Sequence, residues 1–125
     1  MKIKLYLLFI ALSTSLFAQQ KQVLTSIDTT KNKIGAEFKL TLKTTVKTTS
    51  KVAFPNLKNI GPLEVIESYP IDTVKKNEQI ELIKKYGLTQ FDSGRYTIPA
   101  VKILIDKKPF FSDSIKVEVA NVAVD

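Results

Sequence analysis

The chain lacks cysteine and histidine altogether. Without cysteine there is no disulfide framework, no thiolate chemistry and no lipid attachment at the end of a leader. With histidine missing as well, neither a Ser-His-Asp nor a Cys-His arrangement can be assembled, and the usual nitrogen and sulfur ligands of zinc are gone. The four glycines are isolated, so no phosphate-cradling loop is present. Arg95 is the one arginine among 19 basic residues, which argues against bidentate reading of phosphate or guanine. These absences lead to the expectation of a non-enzymatic protein with no cofactor, no metal and no nucleic-acid partner.

What is there begins with a leader. Met1-Lys2-Ile3-Lys4 is basic, Leu5 to Leu12 is an apolar run, and Ser13 to Ala18 approaches a cleavage site through mostly small residues. The run is shorter than the ~20 residues that span a bilayer as a helix, so residues 1–18 read as a cleaved secretory signal peptide. The remainder, 19–125, has the length of one domain and can bury enough apolar surface to fold without covalent staples. It has no second apolar stretch, so no membrane span is expected in the mature chain. Export without disulfides points to a bacterial envelope, hence a periplasmic or secreted protein. Removing Lys2 and Lys4 leaves 17 basic residues against 12 acids, a net charge of +5. The lysines are spread along nearly every segment, as on solvated faces and guarded strand edges.

The mature chain repeats with a period of two. Phe38, Leu40 and Leu42 alternate with Glu37, Lys39, Thr41 and Lys43, the mark of a strand with one buried and one wet face. Ile80 and Leu82, then Tyr86 and Leu88, continue the theme, as do Val101, Ile103, Ile105 and later Ile115, Val117, Val119. Turn residues separate the runs at Lys31-Asn-Lys33, Asn59-Ile-Gly61-Pro62, Tyr69-Pro70, Asp92-Ser-Gly94 and Asp106-Lys-Lys-Pro109. The spacing predicts about seven strands, near Val23–Ile27, Ala36–Val46, Lys51–Phe54, Leu63–Glu67, Glu78–Gln90, Arg95–Asp106 and Phe111–Val119. The expected fold is all-β, an immunoglobulin-like antiparallel β-sandwich over residues 19–125.

Within it, Phe91-Asp-Ser-Gly-Arg-Tyr-Thr-Ile-Pro99 carries the spacing D-x-G-x-Y. Such a motif could hold a catalytic carboxylate beside a phenol, or form a tyrosine corner, in which a tyrosine at the start of the sixth strand bonds back to the backbone upstream. Its place in the strand order favours the corner: Tyr96 opens the sixth predicted strand, Gly94 permits a positive φ or a close approach, and Asp92 can accept from the turn's amides. Ile98 stands where an antibody domain has cysteine, and Phe54 is the candidate for the central aromatic. Other carboxylates offer little. Glu64 and Glu67 are three apart, which on a strand puts them on opposite faces. Asp28, Asp72, Asp92, Asp106 and Asp113 lie in or near predicted turns without the spacing of a calcium loop.

The runs "IGAEFKLTLKTT", "KVAFPNL", "GPLEVIESYPIDT" and "YGLTQFDSGRYTIPAVKI" resemble the N-terminal periplasmic region of BatD-like proteins of the bacterial aerotolerance operon. The resemblance spans about Val23 to Val119. It implies a non-enzymatic envelope protein of immunoglobulin-like domains that assembles with membrane proteins carrying von Willebrand factor A domains, beside a MoxR-type ATPase, in oxygen and envelope stress tolerance. Such proteins are usually larger and carry a membrane helix further on. This sequence ends at Asp125, so the expectation is a fragment or a shortened relative. The alternative expectation is an envelope carbohydrate or anionic-lipid binder, favoured by the net positive charge and by Tyr69 and Tyr86 if exposed. For an envelope-protein partner, the last predicted strand offers a docking edge at Ile115, Lys116, Val117, Glu118 and Val119, since sandwich edges carry unpaired backbone groups.

Overall fold

Alternating apolar side chains that must leave water, with turn formers between them, produce an all-β molecule. The computed structural model describes residues 21–121; the leader expected at 1–18 lies outside them. Twelve strands follow in order: β1 (Leu24–Ile27), β2 (Lys31–Lys33), β3 (Phe38–Lys47), β4 (Val52–Ala53), β5 (Asn59–Ile60), β6 (Leu63–Ser68), β7 (Asp72–Lys76), β8 (Gln79–Thr89), β9 (Gly94–Ile98), β10 (Lys102–Ile105), β11 (Lys108–Phe111) and β12 (Ile115–Ala120).

One sheet runs β1-β3-β8-β6-β5, with β7 pairing β8 beyond the end of β6. The opposing layer consists of β2-β12-β9 and β11-β10-β4. These two are halves of a single ribbon: Ile98 faces Ile115 in one, Lys102 faces Phe111 in the other, and between them Ser112 N donates to the Val101 carbonyl (2.9 Å). The ribbon turns at Asp106-Lys107, both with positive φ (51° and 70°), which is what a two-residue type I′ hairpin turn demands. The opening segment changes layers. β1 pairs antiparallel with β3, and after Asp28 the chain crosses over so that β2 runs parallel to β12.

The inward positions of both layers meet in one apolar core. Phe38, Leu40, Leu42, Tyr86 and Leu88 of the first layer pack with Ile98, Ile103, Ile105, Val117 and Val119 of the second. Every side chain named is buried, as the period of two predicts. Truncating such a residue costs roughly 2–5 kcal/mol.

Several predicted boundaries change. Lys31–Lys33 and Asn59–Ile60, expected as turns, are short strands. The strand expected over Arg95–Asp106 is broken, because Pro99 has no amide to donate and the chain leaves the ladder until Lys102. The strand expected from Phe111 divides in the same way around Ser112. Asp72–Lys76 is an additional strand whose five residues are all exposed, so it carries no alternation to read. Phe54 is half-buried against the core, and the largest fully buried aromatics are Tyr86 and Phe38.

Candidate functional site

The D-x-G-x-Y segment forms the link from β8 to β9. Tyr96 Oη donates to the Asp92 carbonyl (2.8 Å), with the Ser93 carbonyl at 3.4 Å. Gly94 has φ of 149°, and a Cβ there would stand 3.4 Å from the Tyr96 hydroxyl. The turn's amides are served differently from expectation. Gln90 Oε1 accepts from Phe91 N (2.9 Å) and Asp92 N (3.2 Å), so Asp92 contributes its carbonyl and not its carboxylate. The corner bond is solvent-exposed, which lowers its worth relative to a buried one.

The candidate docking strand is interior over its second half. β12 lies between β9 and β2, and Glu118 N donates to the Thr30 carbonyl (2.7 Å). Val117 and Val119 face the core, with Ile115 packed against it, while Lys116 is exposed. An edge role is therefore corrected for Glu118 and Val119, which are paired on both sides, whereas Ile115, Lys116 and Val117 are paired with β9 alone because β2 reaches only residues 118–120.

Two polar arrangements escape a reading by periodicity. Lys84 shares the inward register of Ile80, Leu82, Tyr86 and Leu88, and is 9% exposed. It lies over the Tyr86 ring (5.2 Å to the centroid), and its ammonium donates to Ser68 Oγ (2.8 Å) and to the Tyr69 carbonyl. A lysine beside a serine is the donor set of some hydrolytic dyads. Here the serine oxygen and the carbonyl both accept hydrogen bonds from the lysine nitrogen, so the side chain clasps the backbone to β8. The sequence signal was a lysine standing in an apolar phase.

The second arrangement lies on the outer face of the first sheet. Tyr69 Oη donates to Glu37 Oε2 (2.7 Å), and Lys39 Nζ stands 5.0 Å from the Tyr69 ring centroid. Gly87 makes room for the carboxylate, since a Cβ there would fall 2.0 Å from Glu37 Oε2. The hydrogen bond to Glu37, with burial and neighbouring carboxylates adding to it, raises the phenol above its ordinary pKa. Tyr86 is fully buried; burial pushes its phenol up to about 12, and its hydroxyl donates to the Pro55 carbonyl (2.6 Å).

A groove of about 480 Å³ lies on the outer face of the second layer, lined by Thr30, Arg95, Tyr96, Thr97, Lys116, Val117 and Glu118. Glu118 at its floor pairs with Arg95 (3.5 Å) and Lys31 (3.6 Å). Among the described residues no group of three metal-ligating side chains converges, and no helix is long and apolar enough to cross a membrane. Comparison with family models, with curated proteins and with solved structures finds no match to this chain.

Proposed function

We propose that this protein is a non-enzymatic recognition and scaffolding module of a bacterial envelope, an immunoglobulin-like sandwich of the BatD kind. Its partners in this reading are membrane proteins carrying von Willebrand factor A domains, with which it assembles in oxygen and stress tolerance. The observation that carries the reading is the Tyr96–Asp92 bond at the start of β9, the corner by which immunoglobulin-type sandwiches hold that strand. The opening segment's change of layer, from β3 to β12, supports it. The polar side chains with the most distinctive surroundings, Lys84, Tyr86 and Tyr96, each give a hydrogen bond to a backbone carbonyl, the work of a scaffold. The carbohydrate or lipid alternative draws on the net positive charge and on Tyr69 and Tyr86 as an aromatic platform. Tyr86 is buried and Tyr69 is half-covered, which leaves that reading without one.

The test is direct binding of the mature protein to purified von Willebrand factor A ectodomains from the same operon, measured by biolayer interferometry. Saturable binding that survives moderate salt is expected. A set of ectodomains that all fail to bind sinks the proposal.

A further inference from the structure

The two layers differ in charge. Strands of the second layer carry Lys31, Lys33, Arg95, Lys102, Lys108 and Lys116 against one acid, Glu118. Strands of the first sheet carry seven lysines, but four acids are interleaved with them. All six cations of the second layer are exposed; Lys108, opposite inward-facing Ile105, stands on the core side at the ribbon's tip, and the other five are on the outer face, where the groove between Thr30, Thr97 and Lys116 opens. Further along the same ribbon two large apolar side chains face water, Leu104 (37% exposed) on β10 and Phe111 (60%) on β11.

We propose that this outer face docks an extended acidic segment of a partner protein, with carboxylates in the groove beside Arg95 and Lys116 and an apolar residue against Leu104 and Phe111. The inference rests on the recognition reading and names its surface and the chemistry of its partner. Charge complementarity selects the occupant: a face with five cations and one acid favours carboxylates and repels basic partners. The groove suits side chains standing out from an extended backbone better than a planar bilayer, and Glu118 on its floor opposes a surface of lipid phosphates. Docking runs over the face and not by strand addition. The cations and the two apolar side chains that carry it stand on the face, and on the edge strand β11 Pro109 has no amide to donate.

The probe is a fluorescein-labelled peptide in which Glu alternates with Val and Ser and one end carries Leu-Phe, titrated by anisotropy at low and moderate salt. Arg95→Gln with Lys116→Gln should weaken binding about tenfold, while Lys39→Gln with Lys43→Gln on the first sheet should stay within about twofold. All four positions are on outward faces, and circular dichroism checks that the variants fold. Equal weakening by both pairs, no binding by the wild type, or Arg95-dependent binding to phosphatidylglycerol vesicles without peptide binding would each overturn the proposal. An ectodomain that binds the wild type and the Arg95/Lys116 variant equally removes this face but leaves the recognition reading. A set of ectodomains that binds neither, beside a peptide that still distinguishes the two variant pairs, removes the recognition reading instead.

Discussion

The chain contains two long antiparallel ribbons, Leu63 to Thr89 and Gly94 to Ala120, and each is interrupted near its middle. In the first, Ser68 faces Tyr86 and Asp72 faces Ile83, four residue steps against three, so the outer strand carries an extra residue around Tyr69-Pro70-Ile71. In the second, Ile98 faces Ile115 and Lys102 faces Phe111, four steps on each side, so the register survives. The repairs differ accordingly. A break that keeps register lacks only one acceptor, and Ser112 Oγ supplies it to Val101 N (2.7 Å). A break that adds a residue turns a carbonyl away from its ladder, and a long donor must reach it from inside, which Lys84 does.

The sharpest way to break this comparison is Lys84→Met, which keeps the apolar stem and removes the donors. Two part-buried hydrogen bonds from a charged donor are then lost, and stability should fall by about 2–3 kcal/mol in urea denaturation. Amide exchange should quicken over residues 72–83 before it does in β3, because β7 is attached only through β8. A variant with wild-type stability would show that the extra residue needs no clasp.

Ser112→Ala tests the other repair. Ser112 and Val101 are both buried, so the Val101 amide would be left without an acceptor, at about 1–2 kcal/mol. Ser112→Thr keeps the oxygen and should recover most of that stability. If Ala and Thr behave alike in thermal melts, the hydroxyl is not what joins the two halves of the ribbon.

The same contrast explains what the sequence disclosed. Phe38, Leu40, Leu42, Ile98 and Ile103 could be placed in the core because a strand with one wet face shows its phase in every second residue. β7 left no such trace, since Asp72–Lys76 is wet on both faces. β2 was hidden because three polar residues at a change of layer look like a turn. The breaks were written more faintly: Pro99 was visible, but its consequence depended on Ser112, thirteen residues on, and no local rule joins the two. Of the candidate site, D-x-G-x-Y was readable as a local motif. The groove was not, because it is made by Thr30 coming beside β12 from the far end of the chain.

The tips of the two ribbons give the smallest and most local effect. At the first, Asn77 has positive φ (54°), and Thr48 N donates to the Glu78 carbonyl (3.2 Å), so no titratable group takes part in that bond. At the second, Asp106 N donates to the Lys51 carbonyl (2.8 Å), and Asp106 Oδ1 accepts from Lys51 N (2.9 Å). The Lys51 amide, helped by a hydrogen bond from Ser50 and by nearby lysine charge, holds the Asp106 carboxyl below the ordinary carboxylate range. A depressed folded pKa means that the unfolded chain binds the proton more readily. The tie therefore contributes fully above the ordinary carboxylate pKa and is lost as pH falls through the lower folded value. Exchange of the Lys51 amide, corrected for its intrinsic pH dependence, should accelerate on acidification while that of Thr48 stays level. Asp106→Asn tolerates the positive φ and still offers an oxygen to Lys51 N, so it should flatten the Lys51 profile without changing the fold. The group is exposed, so global stability should move little. If both amides lose protection together, acid loosens the two tips by some common cause and the carboxylate tie is not what distinguishes them.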